Sequence, residues 1–184
     1  NDRTIKVKHN SSISLWKSNI TGSTGAGDVI WIYNNCKNYG GDKNKITISG
    51  HSAGAHLCAM ILENNWKNYY LPPDIIKGAA LISGIYQPEI VLNLSVNKEI
   101  KLSKNEAIKN TPKSPKEKIP IILTCVGDQE PEGWIEQTKL YSKNAINMSS
   151  HLDFSILNDE NHFSMMISFS NSEHKFVKKL INMA

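Results

Sequence analysis

Residues 50–54 read GHSAG, with a serine standing between two glycines. On a sharp strand-to-helix turn this pattern lifts the serine Oγ clear of the backbone, where it can attack a carbonyl carbon. Ser52 is therefore the candidate nucleophile, the alternative being a glycine-rich turn with an idle serine. We expect glycine at both Gly50 and Gly54 because the crowded backbone of such a turn leaves no room for a Cβ. The amide of Ala53 would point at the carbonyl oxygen under attack, as one donor of an oxyanion hole.

A serine hydroxyl is a weak nucleophile until a base takes its proton, and histidine is the usual base. The chain has six histidines, namely His9, His51, His56, His151, His162 and His174. His162 lies in a polar loop directly after the last predicted strand, in the chain order serine, acid, histidine that suits this chemistry. We therefore predict that His162 is the base. We expect structural roles for His51, within the turn, and His56, on the following helix, and a surface position for His174.

The acid that orients the histidine should follow the third predicted strand, where residues 126–131 read VGDQEP. Hydrolases that place the acid here commonly write the turn as G-x-x-D-P, with the acid three residues after the glycine. Counting from Gly127 puts Glu130 in that place, and glutamate is an accepted member of such triads. The shorter Asp128 would have to reach further. We predict Glu130 as the acid and keep Asp128 as the alternative.

The elements that must position these residues alternate between strands and helices. Short apolar runs predict strands at 45–49, 78–83, 120–126 and 152–157, while helical periodicity predicts helices at 53–64, 131–144 and 172–183. A further helix is predicted to begin at Asp28 as its N-cap and to end at the two glycines 40–41. Strands that alternate with helices indicate a parallel sheet built from βαβ units, which is the α/β class.

The chain divides into two parts at the level of pattern. Residues 1–27 are polar and remain unplaced, whereas residues 28–184 form the predicted catalytic domain. Within that domain, residues 86–119 are a longer insertion between two strands, polar in its second half, of the kind that covers an active site.

Composition narrows the class of protein. The 184 residues include 21 basic and 17 acidic side chains, and the lysines are scattered, so a cluster such as 113–118 indicates a solvated loop and no nucleic-acid partner. No run of 18 apolar residues occurs, so no membrane partner is expected. Three cysteines without metal-ligand spacing predict buried free thiols in a cytoplasmic protein that has neither metal nor cofactor. We expect a small-molecule substrate and leave a homodimer open.

Several segments together resemble the kynurenine formamidase (arylformamidase) branch of the α/β hydrolases. They are 39–42 (YGGD), 50–57 (GHSAGAHL), 81–90 (LISGIYQPEI), 127–137 and 161–164 (NHFS). The resemblance implies an α/β-hydrolase fold, with a mostly parallel sheet flanked by helices. It further implies Ser52 as nucleophile, Glu130 as acid and His162 as base in hydrolysis of N-formyl-L-kynurenine to formate and L-kynurenine, a step of tryptophan catabolism.

The chain departs from that family at its N-terminal side. Family members carry an H-G-G motif that supplies further oxyanion donors, whereas here the two glycines 40–41 follow Tyr39 and no histidine precedes them. The strands that normally precede the serine turn also have no counterpart. We therefore expect a partial α/β-hydrolase chain that is nearly inactive on its own. A short-chain carboxylesterase with the same triad, and an inactive hydrolase-like fragment or binding module, are the alternatives.

Overall fold

The computed structural model describes residues 4–8, 12–16 and 25–183, the first two segments as backbone alone. Those two segments are strands β1 (Thr4–Lys8) and β2 (Ser12–Trp16), which pair antiparallel. The other strands form one four-stranded sheet in the order β3-β4-β5-β6, with every neighbour parallel. Their bounds are β3 Ile46–His51, β4 Ile76–Ile82, β5 Ile119–Gly127 and β6 Ser149–Leu157. The predicted α/β class with a parallel sheet is confirmed.

Helices connect these strands, as parallel pairing requires. Their bounds are α1 Ala26–Asn35, α2 Ala53–Leu62, α3 Asn97–Ile100, α4 Lys104–Lys109, α5 Glu132–Ala145, α6 Ser164–Ser168 and α7 Lys175–Met183. Short 3₁₀ turns occur at Cys36–Tyr39, Trp66–Tyr69, Pro88–Asn93 and Ile146–Met148. None of the helices within the described residues combines the length and the apolar character that crossing a bilayer needs.

The sheet separates two apolar cores because its central strands alternate sides. In β4, Ala79 and Leu81 pack with α1 and α2 on one face, while Ala80 and Ile82 pack on the other with Phe176 of α7. A strand buried on both faces has no polar side to show, which is why the predicted strand at 78–83 reads as a continuous apolar run. The three cysteines are buried and form no disulfide, as predicted.

The main differences from the predicted elements lie at their ends. The N-cap of helix α1 is Gly25, three residues before the predicted N-cap Asp28, which lies in the first turn of the helix. Gly25 has a φ of 67°, and a Cβ there would stand 2.6 Å from Ile61, so glycine suits both the backbone and the packing. The short helices α3, α4 and α6, of four to six residues each, were not predicted, and neither were strands β1 and β2.

The insertion at residues 86–119 is held against α2. The Asn110 carbonyl accepts a hydrogen bond from Nε2 of His56, and the Lys116 amide donates to the Leu62 carbonyl at 2.8 Å. A carboxylate oxygen of Glu63 also accepts the amide of Lys113. These bonds fix the insertion on the helix that follows the candidate nucleophile.

Candidate active site

Ser52 occupies the turn between β3 and α2 in a conformation that few side chains adopt. Its φ is 57° and its ψ is −118°, a positive-φ backbone that is costly for a residue with a Cβ. Two hydrogen bonds hold the turn, since the Ser52 amide donates to the Ile82 carbonyl at 2.9 Å and the His56 amide donates to the Ser52 carbonyl at 3.1 Å. Strain that the surroundings enforce at a serine is typical of a nucleophile held ready on a turn.

The glycines that flank this serine are not equivalent. A Cβ on Gly50 would come closer than 3.0 Å to the carbonyl of Gly54 and to the amide of Ala55, so glycine is required there. A Cβ on Gly54 would meet nothing within 4 Å among the described residues. The expectation that the turn crowds both glycines is therefore wrong for Gly54. Its backbone creates the crowding, and the missing side chain of Gly50 relieves it.

Ala53 is the first residue of α2, so its amide belongs to the first turn of a helix, where N–H groups have no intrahelical acceptor. The positive end of the helix dipole adds to the potential at this amide. A developing oxyanion beside Ser52 would find a suitable donor here. The catalytic role predicted for Ala53 remains a prediction.

His162 is carried by a structured loop after β6. Oδ1 of Asn161 accepts the amides of Phe163 and Ser164 at 2.9 and 3.0 Å, and the hydroxyl of Ser164 accepts the Asn161 amide at 2.8 Å. These bonds close a turn around His162 and fix its backbone direction. The Gln129 amide donates to the Glu160 carbonyl at 3.0 Å, which ties the loop to the end of β5.

The imidazole of His162 bridges the candidate nucleophile and the candidate acid. Its Nε2 lies 3.0 Å from Oγ of Ser52, and its Nδ1 lies 2.8 Å from Oε2 of Glu130. A base within hydrogen-bond reach of a hydroxyl, and itself oriented by a carboxylate, has the geometry for proton transfer. The structure thus brings together three of the residues that the sequence predicted for the site.

Glu130 is buried, with its side chain only 1% exposed, whereas Asp128 is exposed. Oε1 of Glu130 accepts the Gly127 amide at 3.0 Å. Burial of this carboxyl opposes its ionisation, but hydrogen bonds from His162, Ser83 and the Gly127 amide outweigh that penalty and hold the pKa of Glu130 below its usual value. The carboxylate that contacts His162 is therefore Glu130.

Sequence reasoning missed one residue of this cluster. Ser83 follows β4, is fully buried, and donates its hydroxyl proton to Oε2 of Glu130 at 2.5 Å. Its Oγ also lies 2.8 Å from Nδ1 of His162. The available signal was the position of Ser83 in the SGIY segment at a strand end, where the carboxyl ends of parallel strands gather functional side chains.

Aromatic rings surround the imidazole. The ring of His51 is tilted at 4.5 Å from that of His162, and the edges of Trp134 and Phe163 meet it at 5.9 and 5.3 Å between centroids. Phe163 is 76% exposed, so an apolar surface lies open next to the candidate base. Burial and the neighbouring His162 lower the pKa of His51, which keeps its ring neutral beside the candidate base.

The remaining histidines that the structure describes take part in other contacts. His56 is buried against Asn110, as the structural role predicted for it requires. Nδ1 of His174 accepts the Phe176 amide at 3.2 Å just before α7, and His151 is exposed on β6. His9 lies outside the described residues.

Comparison with known proteins identifies relatives of this chain. The family model BD-FAE matches residues 26–109, which include the turn at Ser52. Kynurenine formamidase from Danio rerio is 30% identical over 142 residues, which cover 74% of this chain and 48% of that protein. Kynurenine formamidase from Salmo salar is 48% identical over 65 residues, which cover 35% and 22%. The chain therefore spans at most about half the length of the curated relatives that it matches.

Solved structures share the fold. A candidate thioesterase from a Silicibacter species has a TM-score of 0.65 at 22% identity, over 88% of this chain and 58% of its own. An esterase from Pyrobaculum calidifontis has a TM-score of 0.64 at 14% identity, over 86% and 58%. At such identities the likeness shows the fold alone. Together with the family match and the formamidase relatives, it shows that this chain has the α/β-hydrolase fold and that its sequence is similar to the kynurenine formamidase branch of that fold.

Proposed function

We propose that this chain carries the catalytic centre of a serine hydrolase that cleaves N-formyl-L-kynurenine to formate and L-kynurenine. The observation that carries the proposal is the relay from Ser52 through His162 to Glu130, with both outer residues within 3.0 Å of the imidazole. Ser52, His162 and Glu130 come from separate loops and meet in the geometry of a Ser-His-acid triad.

The first half of the reaction transfers the formyl group to the enzyme. Oγ of Ser52 forms a bond to the formyl carbon while Nε2 of His162 takes the hydroxyl proton, and the carbonyl oxygen becomes an oxyanion near the Ala53 amide. The C–N bond then breaks, and His162 gives its proton to the departing aniline nitrogen. L-Kynurenine leaves and a formyl ester remains on Ser52.

The second half hydrolyses that ester. His162 takes a proton from water, the resulting hydroxide attacks the formyl carbon, and His162 returns that proton to Oγ of Ser52 as the ester bond breaks. Formic acid leaves and ionises to formate by releasing its proton to the solvent. Glu130 remains ionised throughout and stabilises the imidazolium that forms twice in the cycle. Its depressed pKa supports that role, because a carboxyl that protonated easily could not balance the positive ring.

The formamide substrate is supported by sequence relatives and by the chemistry of the site. Two relatives are named kynurenine formamidase, and the 30% identity to one of them extends over 74% of this chain. A weakly basic aniline is a good leaving group among amines, so machinery that cleaves esters suits this amide. The exposed ring of Phe163 beside His162 offers an apolar surface on which an aryl leaving group can rest.

The test compares substrates on one protein preparation. We expect kynurenine and formate to form from N-formyl-L-kynurenine in equal amounts, a fluorophosphonate probe to label Ser52, and Ser52→Ala to lose both reactions. Hydrolysis of p-nitrophenyl acetate without attack on N-formyl-L-kynurenine would make the protein a short-chain carboxylesterase. An absence of both activities together with an unlabelled Ser52 would overturn the hydrolase proposal in favour of a binding module.

A further inference from the structure

We infer that Ser83 is a positioning residue that fixes the Glu130–His162 pair in its working geometry. The inference rests on the catalytic relay proposed above but not on the identity of its substrate. Ser83 is 0% exposed, so its hydroxyl has no access to bulk water and must bond within the protein. The two atoms it reaches are Oε2 of Glu130 and Nδ1 of His162.

The protons of this cluster can be assigned from the distances. The base must leave Nε2 free to take the Ser52 proton, so the neutral imidazole of His162 carries its hydrogen on Nδ1. An ionised carboxylate only accepts, so the single hydroxyl proton of Ser83 points at Glu130 over 2.5 Å. Oγ of Ser83 can then only accept from Nδ1, 2.8 Å away. The Nδ1 hydrogen is thus shared between Glu130 and Ser83.

The hydrogen bonds that join Ser83, Glu130 and His162 constrain both the carboxylate and the imidazole. The Ser83 hydroxyl binds the Oε2 that faces the imidazole, while the Gly127 amide binds Oε1 at 3.0 Å, so neither carboxylate oxygen is free to rotate away. The Ser83 bond is also one of the interactions that lower the pKa of Glu130 against its burial. An imidazole with two acceptors for Nδ1–H has little reason to adopt the opposite tautomer, which could not accept a proton from Ser52.

The backbone of Ser83 supports a role in function. Its φ is 46°, a left-handed conformation that favours glycine, and its amide donates to the Cys125 carbonyl at 2.7 Å. A serine kept where glycine would fit the backbone better suggests that the hydroxyl has a use. Nearby, Oε1 of Gln137 accepts the amides of Tyr86 and Gln87 at 2.8 Å each, so the segment after Ser83 is anchored as well.

The test uses two variants that both remove the hydroxyl. Ser83→Gly suits the positive φ, whereas Ser83→Ala retains the backbone strain. Comparing the two variants therefore separates the effect of losing the hydroxyl from the effect of relieving the backbone strain. We expect both variants to lower kcat on p-nitrophenyl acetate by about 10- to 100-fold with little change in KM, the effect of losing one hydrogen bond to a charged group. Labelling of Ser52 by the fluorophosphonate should slow by a similar factor.

A second arm distinguishes positioning from simple packing. Because Ser83 acts through the carboxylate, Ser83→Gly should cost less than about 3-fold when added to Glu130→Gln, whereas a packing defect would add its full cost. NMR of the His162 ring tests the same positioning role and does not require the protein to turn over a substrate. The wild type should show a protected Nδ1–H resonance, and Ser83→Gly should broaden it or speed its exchange with water.

The result that overturns the inference is a folded Ser83→Gly protein with wild-type kcat, or, if the protein turns over no substrate, one whose Nδ1–H resonance is unchanged. A larger loss in Ser83→Ala than in Ser83→Gly, with the latter near wild type, would assign the residue a backbone role and also reject the inference. Failure to cleave N-formyl-L-kynurenine would leave both readouts intact and would count only against the proposed substrate.

Discussion

Nε2 of His162 lies 3.0 Å from Oγ of Ser52, although 110 residues separate them and their strands form opposite edges of the four-stranded sheet. Three strand spacings of about 4.8 Å place those edges about 14 Å apart. The loop after β6 must therefore cross the end of β5 to deliver its imidazole. It crosses at Gly127, where a Cβ would come closer than 3.0 Å to the Glu160 carbonyl.

Gly127→Ala should displace the loop that carries His162. The new Cβ meets backbone, which cannot rotate aside, so we expect kcat/KM to fall about 100-fold, as a shift of about 1 Å at a reacting group produces. The free energy of unfolding should fall by about 1–3 kcal/mol. Gly133→Ala is the matched control, since its Cβ would meet only the flexible end of Ile90 at 3.2 Å. Equal activities of the two variants would contradict this account.

The two glycines of the GHSAG turn should respond differently to alanine. Gly50→Ala forces a Cβ into the backbone of Gly54, and we expect a loss of about 3 kcal/mol or more in the free energy of unfolding. Gly54→Ala lies in α2 with open space around its Cβ among the described residues, and the better helix propensity should leave stability unchanged or raise it by up to about 1 kcal/mol. Urea unfolding of both variants checks the ordering, which a comparable loss at Gly54 would reverse.

Ser52→Ala should remove activity and leave the fold intact. Within the described part of the chain the hydroxyl bonds to His162 alone, and the residue is partly exposed, so the free energy of unfolding should change by less than about 1 kcal/mol. Hydrolysis should fall by at least about 10⁴-fold. Ser49→Ala, three residues earlier on β3, serves as the control and should stay near wild type. Retention of full activity by Ser52→Ala would show that another residue is the nucleophile.

Glu130→Gln should cost far more activity than Asp128→Asn. The amide keeps the shape of the side chain but cannot balance the imidazolium, and we expect kcat to fall by about 10³–10⁴-fold. Asp128 is exposed, and its replacement should stay within about 3-fold of wild type. Steady-state kinetics of the two variants on p-nitrophenyl acetate decide the matter. The opposite ordering would assign the acid to Asp128.

Stability should fall in two stages as the solution becomes acidic. Burial lowers the pKa of His51 and His56 from an ordinary value of 6.5. Below about pH 6.5 these histidines therefore bind protons in the unfolded chain more readily than in the folded chain, which destabilises the fold. Each histidine then reduces the free energy of unfolding by at most about 1.4 kcal/mol per pH unit. The depressed pKa of Glu130 adds a further loss below about pH 4.5.

Urea titrations at successive pH values between about 8 and about 3 measure both stages. His56→Gln keeps a donor for the Asn110 carbonyl but cannot titrate, so it should flatten the first stage. A variant with the same slope as the wild type between about pH 6.5 and 5 would exclude His56 as a source of the pH dependence.

The fold could be predicted from the sequence where the pattern was strong. Continuous apolar runs separated by helical segments predicted a parallel sheet, and the strands do pair in parallel. The predicted strand at residues 120–126 lies within β5. The ends of the strands and helices were harder to predict. Strand β6 extends back to Ser149 because that residue pairs with Ile119, and the local sequence alone does not indicate this pairing. Likewise Gly25 caps α1 for reasons of packing against Ile61, which no local pattern contains.

The candidate site was partly predictable for a related reason. Ser52 and His162 lie next to recognisable turns, and the spacing after Gly127 favoured Glu130 over Asp128. Ser83 could not be singled out, since a serine at the end of a strand is common and its partners lie 47 and 79 residues away along the chain. Only the register between neighbouring strands brings its hydroxyl to Glu130.

The order of these residues along the chain is also their order across the sheet, with Ser52, Ser83, Glu130 and His162 following β3, β4, β5 and β6 in turn. During synthesis on the ribosome the proposed nucleophile therefore emerges first and its proposed base last. In a nascent chain, Ser52 has no imidazole to activate it until β6 and the loop after it have been made. Any product that terminates between residues 52 and 162 contains Ser52 but lacks the imidazole of His162, so aborted synthesis releases an unreactive polypeptide rather than an unregulated hydrolase.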